Sequence, residues 1–274
     1  MIIIELQISF QEKIRYWFWG NIVRQLFLKI LAHHSEELLS KLHGSYRGTL
    51  APYAVEPIIA KNRMVITVHP NRRYTVRIKI LDPSLLSQII KALEDTPDRT
   101  YIIENIAIKI HEVTIEGIHP EKIEPPNHKI RFILISPTTF KPAGSPWLDP
   151  IPSRKHIVAS LTRLWNTFIQ QKYEKTHIES IANKIKITGI NLRTAPPIPI
   201  GKNRKIIGTT GYILMDIQKL DKEERKLLAL AQITNIGKNR TYGLGTIRIT
   251  TENTQTNNHP SLSGRLIHEC LISK

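Results

Sequence analysis

The pattern that most constrains this chain is an order of strands and helices that occurs twice. At the N-terminus, apolar residues alternate with polar ones over Ile2–Phe10, the period-two signature of a β-strand with one buried face. A second alternating stretch, Ile130–Leu134, begins just after Pro126. Each stretch is followed by a helical pattern, two strand patterns, another helix and a closing strand, so the chain contains two copies of one unit.

The helices of the first unit follow from spacing and from capping residues. Apolar positions recur at helical spacing from Asn21 to about Leu42, and Ser35 is placed to cap the second of two helices. Asp82 is a suitable N-cap for another helix, and Pro83 is a suitable first helical residue because its ring fixes φ near the helical value. A strand built on Ile106, Ile108 and Ile110 then closes the unit.

The middle of the first unit predicts a β-hairpin with a basic face. Its strands are Val65–Val68 and Tyr74–Ile80, joined around Pro70. Arg77 and Lys79 lie on the side opposite the apolar residues of the second strand. We therefore expect one face of this sheet to carry cations.

The second unit repeats the same order. Its first strand is followed by a helix over Ile157–Phe168, a strand around Ile185, a strand over Ile206–Asp216 and a final strand over Leu244–Ile249. Asp221 opens the second helix of this unit with a capping box.

Both units have the βαββαβ order of a ferredoxin-like domain, so the predicted fold class is α+β with two tandem ferredoxin-like domains. We place the first domain at residues 1–126 and the second at 127–250. Residues 251–274 begin with a run rich in Thr, Asn and Ser and are predicted to form a flexible tail.

Charge and hydropathy narrow the functional classes. The chain carries 39 Lys and Arg against 23 Asp and Glu, a net charge of +16, and its 41% hydrophobic content excludes a wholly disordered basic tail. A single cysteine, Cys270, excludes a disulfide framework. With no signal peptide and no apolar run free of charge, we expect a cytoplasmic protein without a membrane partner. The basic excess favours a nucleic acid as partner.

The most informative segment is a glycine-rich loop at residues 236–245, which leaves a helix and enters a strand. Dinucleotide-binding and P-loop motifs need the opposite order, so no nucleotide cofactor is expected. Glycines permit close approach and exposed N–H groups, and cations bind phosphates. On this basis the RNA-binding candidates in the loop are Gly237, Lys238, Arg240, Gly243 and Gly245. The alternative is an ordinary turn with solvated charges.

The Gly-x5-Gly-x-Gly spacing of this loop resembles the signature of the RAMP superfamily, the RNA-binding proteins that process CRISPR repeats. Three further motifs occur in the same order: Leu42-His43 before Pro52–Val55, Phe132–Lys141, and Ile207–Tyr212 before Leu227–Ala231. Over about residues 1–250 the chain is thus similar to the CRISPR-associated endoribonucleases that cut precursor CRISPR RNA within each repeat.

This resemblance implies a metal-independent endoribonuclease. Its partners would be CRISPR repeat RNA, as precursor and mature guide RNA, and an interference complex. A histidine near the end of the N-terminal helical region acts in cleavage in this family, and the matching residue is His43. The ribose 2'-OH attacks the adjacent phosphorus, so protons must be accepted and donated, as an imidazole can do near neutral pH. The implied products carry 2',3'-cyclic phosphate (or 3'-phosphate) and 5'-hydroxyl ends.

Residues on either side of His43 are candidates to assist or to replace it. The archaeal members of the family place a lysine shortly after the histidine, where this chain has Tyr46 and Arg47. We assign both as assisting catalytic residues, with Arg47 placed to stabilise the phosphorane charge. His33 and His34 are alternative histidines, although a pair at a helix C-terminus is also explained by the helix dipole.

Other cations are candidates for holding the RNA backbone. They are Arg72 and Arg73 in the predicted hairpin turn, Lys202, Arg204 and Lys205 after a proline-rich run, and Arg154 and Lys155 at a helix start. A row of phosphate contacts predicts steep salt dependence of binding. Trp147 and Tyr212 are able to stack on a base, although aromatic residues more often belong to a core.

No metal site is expected, because the eleven histidines are scattered and helix capping explains the acidic groups. Two other functions stay open. A non-catalytic RAMP subunit that holds guide RNA in an interference complex would share the glycine loop, and a basic RNA-binding protein of ribosomal type would share the charge and the fold. The four ordered motifs favour the nuclease. The sequence leaves open whether the protein is a monomer or a homodimer and which CRISPR subtype it serves.

Overall fold

The computed structural model describes residues 1–44, 50–94, 96–200 and 204–251. The elements of its first half are β1 (Ile2–Phe10), β2 (Ile14–Arg15), α1 (Gly20–His34), α2 (Glu36–Gly44), β3 (Tyr53–Val55), β4 (Ile59–Ala60), β5 (Arg63–Met64), β6 (Thr67–Val68), β7 (Tyr74–Ile80), α3 (Leu86–Glu94), β8 (Thr100–Ile103) and β9 (Ile106–Gly117).

The main sheet of the first half is antiparallel, with the strand order β3-β7-β1-β9-β8. Its first strand, β1, lies between β7 and β9, and α1 and α2 connect β1 to β3. With β8 added at one edge, β9-β1-β7-β3 is the arrangement of a ferredoxin-like module.

The second half repeats this arrangement. Its elements are β10 (Lys129–Thr138), α4 (Arg154–Phe168), α5 (Lys175–Lys184), β11 (Lys186–Thr194), β12 (Ile198–Ile200), β13 (Arg204–Ile206), β14 (Thr209–Asp216), α6 (Lys222–Thr234) and β15 (Ile247–Thr251). The sheet order β11-β14-β10-β15 again places the first strand between the third and the fourth. The prediction of two tandem ferredoxin-like modules is confirmed. The domain limits at 126 and 250 stay predictions, and the tail from 252 to 274 lies outside the described residues.

Caps and apolar stripes explain where the helices lie. The Leu38 N–H donates to Ser35 Oγ at 3.2 Å at the start of α2, and the Glu224 N–H donates to Asp221 Oδ1 at 2.8 Å at the start of α6, as predicted. The helices bury their apolar faces against the inner face of the neighbouring sheet, forming one core in each half. The second core also takes in Leu81 of the first half.

The predicted hairpin of Val65–Val68 with Tyr74–Ile80 is wrong. β6 pairs with β2, whereas β7 pairs with β1 and β3. Val68 is fully buried and lies opposite Ile14 of β2. Its burial against β2 takes β6 out of position to pair with β7. The true second strand, β3, has only three residues, and all are buried, so it shows no alternation in the sequence.

The predicted strand over Ile206–Asp216 is interrupted. β13 ends at Ile206 and pairs with β12, while β14 begins at Thr209 and pairs with β10 and β11. Gly208 lies between them, where an added Cβ would come within 2.9 Å of the Thr138 backbone. The division produces a β12–β13 hairpin separate from the main sheet.

None of the helices within the described ranges is both long enough and apolar enough to cross a membrane.

Candidate nucleic-acid interface

The glycine-rich loop is held by its own hydrogen bonds. Gly237, Gly243 and Gly245 have φ values of 75°, 84° and 72°, in the left-handed region that glycine adopts without strain. Their N–H groups donate to Ser160 Oγ at 2.9 Å, to the Arg240 carbonyl at 3.1 Å and to the Pro137 carbonyl at 3.1 Å, respectively. The expectation of exposed glycine N–H groups is therefore wrong, because these donors are used within the chain.

Close packing is the reason for glycine at these positions. A Cβ on Gly243 would lie 2.8 Å from the Cα of Gly20, the first residue of α1. A Cβ on Gly245 would lie 1.8 Å from the Ile236 carbonyl oxygen. Beside these contacts, the Arg24 guanidinium lies over the Tyr242 ring at 4.4 Å. The loop thus joins the second module to α1 of the first.

Arg240 has a different role from the predicted phosphate contact. It is 4% exposed, and its guanidinium donates to the Thr234 carbonyl at 3.1 Å and to the Ala51 carbonyl at 3.2 Å. Burial, followed by the charge of Arg163, lowers its pKa to about 10. Arg240 holds the loop against the segment at Ala51. Its N–H groups donate to backbone carbonyl oxygens and are therefore not free to donate to a phosphate.

A cavity of about 730 Å³ opens beside this loop. Its walls come from the glycine loop, from one face of α4, from α5 and from the chain after β10. The lining includes Leu50, Phe140, Lys141, Lys155, His156, Ser160, Arg163, Lys175, Glu179 and Lys238. The positions 156, 159, 160 and 163 follow helical spacing, so they lie on one face of α4.

The cavity carries an excess of positive charge. Lys155 pairs with Glu179 at 2.5 Å, whereas Lys141, Arg163 and Lys238 form no ion pair within the described part of the chain. Burial and then the charges of Arg163, Lys141 and Arg240 lower the pKa of Lys238. These cations lie close enough to repel one another, and a bound anionic ligand would reduce that repulsion.

His156 is a cavity residue that the sequence analysis did not single out. Its ring stacks on Phe140 with centroids 5.4 Å apart, and its Nδ1 lies 3.6 Å from Asp149 Oδ2. The sequence could have predicted that His156 and Arg163 share one face of a helix, because they are seven positions apart and Ser153 caps the helix start.

The candidate catalytic residues lie mostly outside the described residues. His43 lies in the last turn of α2, but its side chain lies outside the part that the structure describes. The same holds for the whole of Tyr46, Arg47 and Lys202. The description resumes at Leu50, which lines the cavity. His43 and Leu50 are seven positions apart, so their Cα atoms are at most about 25 Å apart.

The alternative histidines lie elsewhere. His33 and His34 are exposed in the last turn of α1, where the sequence placed them as a helix-end pair. His33 lines a smaller hollow of about 440 Å³ with Lys29 and Tyr101. Neither histidine lines the cationic cavity.

The remaining basic candidates have three kinds of surroundings. Arg204 and Lys205 are exposed on the β12–β13 hairpin, whose apolar residues pack near Phe18 and Leu244. Arg72 and Arg73 are exposed before β7, and Arg72 lies 5.9 Å from the centre of the Tyr74 ring. Lys155 lines the cavity, whereas Arg154 donates to the Ile185 carbonyl at 2.8 Å.

The predicted basic sheet face contains a buried ion cluster instead. Lys79 is 1% exposed, and its Nζ lies 2.6 Å from Glu56 Oε1. Arg248 of β15 contacts both carboxylate oxygens of Glu56, at 3.0 and 2.8 Å. Lys79 also donates to the Gln232 carbonyl at 2.7 Å and to Asn235 Oδ1 at 2.6 Å. The end of α6 covers Lys79 on this part of the sheet. Arg77, beside it, pairs with Glu5 at 2.6 Å.

Opposing effects set the protonation of this cluster. Burial alone would raise the pKa of Glu56, but the charge of Lys79 and the hydrogen bond and charge of Arg248 hold it at about 2. Burial lowers the pKa of Lys79 to about 8, although Glu56 opposes the shift. The cluster connects the two modules, since Glu56 and Lys79 belong to the first and Arg248 to the second.

No three His, Cys, Asp or Glu side chains come together as a metal-binding group within residues 1–44, 50–94, 96–200 and 204–251.

Comparison with known proteins agrees with this architecture. Residues 132–247 match the family model of the CRISPR-associated endoribonuclease Cas6. A product complex of Cas6 (TTHB231) from Thermus thermophilus has a TM-score of 0.70 at 20% identity, covering 91% of this chain and 99% of that one. A product complex of Cas6 (TTHA0078) has a TM-score of 0.69 at 17% identity, covering 92% and 100%.

The fold extends to a more distant structure as well. The product of a Cas6-related gene from Pyrococcus furiosus has a TM-score of 0.59 at 13% identity, covering 92% of this chain and 99% of that one. A comparison with curated protein sequences finds no significant match. In sequence over residues 132–247, and in fold over most of its length, the chain resembles the CRISPR-associated repeat-processing endoribonucleases of the RAMP superfamily, as its motifs indicate.

Proposed function

We propose that this protein is an endoribonuclease that cleaves precursor CRISPR RNA within its repeat. The observation that carries the proposal is the cationic cavity where the chain returns after His43. Leu50 lines that cavity, and the Ala51 carbonyl accepts a hydrogen bond from Arg240. The family match over residues 132–247 supports repeat RNA as the ligand, since similar structures include Cas6 complexes with product and with a substrate mimic.

Binding of the RNA backbone would draw on the unpaired cations of the cavity. Lys141, Arg163 and Lys238, which line the cavity, would neutralise phosphates next to the cut, and Arg204 and Lys205 would add charge on the β12–β13 hairpin. Each phosphate neutralised releases counterions, so affinity falls steeply with salt.

Cleavage would follow the chemistry of 2'-OH attack. His43 acts as the general base or general acid, the ribose oxygen forms a bond to phosphorus, and the bond to the departing 5'-oxygen breaks. Arg47, with Tyr46 assisting, and the cavity cations would stabilise the extra negative charge of the phosphorane. The products are a 2',3'-cyclic phosphate and a 5'-hydroxyl, and no metal ion takes part.

Cleavage of end-labelled repeat RNA in the presence of EDTA tests the proposal. Wild-type protein is expected to cut once per repeat, and His43→Ala is expected to lower the single-turnover rate by about 10²- to 10⁴-fold, the usual contribution of a general acid or base. A 2'-deoxy substitution at the cut removes the nucleophile and is expected to abolish cleavage. The double variant His33→Ala/His34→Ala is the matched control, and its rate should stay near that of wild type.

The other results distinguish the alternatives. Tight binding of repeat RNA by wild type without cleavage would identify a guide-holding RAMP subunit. Full activity of His43→Ala with loss of activity in the double variant would move the catalytic role to the end of α1. Cleavage of the 2'-deoxy substrate would rule out attack by the ribose hydroxyl.

A further inference from the structure

The loop between β10 and α4 exposes the largest apolar side chain on the described surface. Trp147 is 78% exposed, and Ile151 on the same loop is 64% exposed. In contrast, Trp19 and Trp165 are 1% and 5% exposed. A single exposed aliphatic residue needs no explanation, but an indole with this exposure is a common feature of binding sites.

The backbone that carries Trp147 is held in place. Phe140 and Asp149 exchange two backbone hydrogen bonds of 2.8 Å, which close the base of the loop. The Trp147 N–H donates to Ser145 Oγ at 3.1 Å, and the same hydroxyl donates to the Trp147 carbonyl at 3.2 Å. Prolines at 142, 146, 150 and 152 restrict the loop further. A ligand that binds the ring therefore meets a preorganised platform.

The same loop forms part of the cationic cavity. Lys141, Pro142 and Ala143 line the cavity, and Trp147 follows four residues after Ala143. Four residues span at most about 14 Å, so Trp147 lies near the cavity edge. At that distance the exposed ring is accessible to an RNA strand whose phosphates occupy the cavity.

We propose that Trp147 stacks on one unpaired nucleobase of an RNA strand leaving the cationic cavity. The site would take single-stranded RNA, because the faces of a paired base are already covered by its neighbours. Stacking on an aromatic side chain contributes about 1–3 kcal/mol per base with little sequence preference, so Trp147 would add affinity for an unpaired flank. This inference rests on the proposed RNA-binding function and assigns to the loop a ligand contact separate from cleavage.

Binding of two labelled RNAs tests the site. One RNA is the repeat hairpin with its unpaired flank, and the other is the same hairpin without the flank. Trp147→Ala is expected to weaken binding of the flanked RNA by about 10-fold and to leave binding of the blunt hairpin unchanged. Trp147→Phe should retain most of the affinity, because a phenyl ring still stacks. Ile151→Ala is the matched control, since it removes an exposed apolar side chain from the same loop without removing a ring.

Tryptophan fluorescence supplies an independent measurement. Flanked RNA is expected to quench the emission of wild type, and Trp147→Phe should lose most of that quenching. The stacking site would be overturned if Trp147→Ala bound each RNA as tightly as wild type does. It would also be overturned if Trp147→Ala lost the same affinity for the blunt hairpin as for the flanked RNA. The same conclusion would follow if Ile151→Ala lost as much affinity as Trp147→Ala, since a general apolar surface for a protein partner would then explain the patch. If wild type binds neither RNA, the proposed function fails and the stacking site fails with it.

Discussion

Two groups of cations in this protein have opposite surroundings. In the buried ion cluster, Lys79 and Arg248 share the carboxylate of Glu56 and lie beneath the end of α6. In the cavity, Arg163 and Lys238 face each other without a carboxylate of their own among the described residues. The chain supplies a carboxylate to the first group, whereas no carboxylate among the described residues pairs with Arg163 or Lys238 of the second. The difference shows that the total charge of +16 does not measure how much positive charge is open to a ligand.

The largest expected effect comes from removing the buried carboxylate. Glu56→Gln leaves the buried Lys79 and the partly buried Arg248 without a counter-charge, so the free energy of unfolding should fall by about 3–5 kcal/mol. Urea denaturation measures the change. The control is Glu179→Gln, which breaks the exposed pair with Lys155 and should leave the unfolding midpoint unchanged. Equal stability of the two variants would show that the buried cluster contributes no more than a surface pair.

Acid should weaken the buried cluster in a defined range. The folded pKa of Glu56 is about 2, below its ordinary value of 4.5, so its contribution to stability is complete above pH 4.5 and is lost as the pH falls through 2. The difference in unfolding free energy between wild type and Glu56→Gln should shrink over that range. A difference that stays constant from pH 5 to 2 would contradict the assigned pKa direction.

The glycine loop lies between the two groups in the chain, because it begins directly after Asn235, which contacts Lys79, and contains Lys238, which lines the cavity. Gly245→Ala should destabilise the protein by about 2–4 kcal/mol, because a positive φ and an overlap with Ile236 both oppose a Cβ. Gly144→Ala, also at positive φ but with no atom within 4 Å of the added Cβ, should cost only about 1 kcal/mol. Thermal unfolding of both variants measures the difference, and equal losses would show that packing is not the reason for Gly245.

The smallest change in stability is expected in the cavity. Lys238→Ala and Arg163→Ala each remove a charge that repels its neighbours, so unfolding should change by less than about 0.5 kcal/mol. Each should lower the slope of log affinity against log salt by about 1, the effect of one lost phosphate contact. Fluorescence anisotropy with repeat RNA at several salt concentrations measures the slope. An unchanged slope in both variants would remove the cavity from the proposed RNA-binding path.

Local signals in the sequence predict most of the fold. Alternation predicts β1, the Ser35 cap predicts the division between α1 and α2, and Asp221 predicts the start of α6. These features depend on residues a few positions apart. The strand β3 escapes prediction because its three residues are all buried and give no period.

The site is harder to predict because burial of a cation depends on distant parts of the chain. Lys79 is expected on a cationic sheet face, and the sequence around it does not show that it is buried against the Gln232 carbonyl, 153 positions away. Arg240 likewise looks suited to phosphate but donates to Ala51, 189 positions earlier. The motif resemblance singles out the glycine loop, whereas contacts between the modules decide which of its cations are open. The roles of His43, Tyr46 and Arg47 stay predictions.

Asn235 has a consequence for how the protein can be divided. Its side chain accepts from Lys79 and donates to the carbonyls of Val55 and Leu244, at 2.9 and 3.3 Å. A polypeptide severed near Pro126 would therefore separate Asn235 and Arg248 from Lys79 and Glu56, their partners in the first half. We expect co-expressed fragments to reassociate through these contacts, so that reassembly would serve as a split reporter. Neither fragment alone would reproduce the intact molecule.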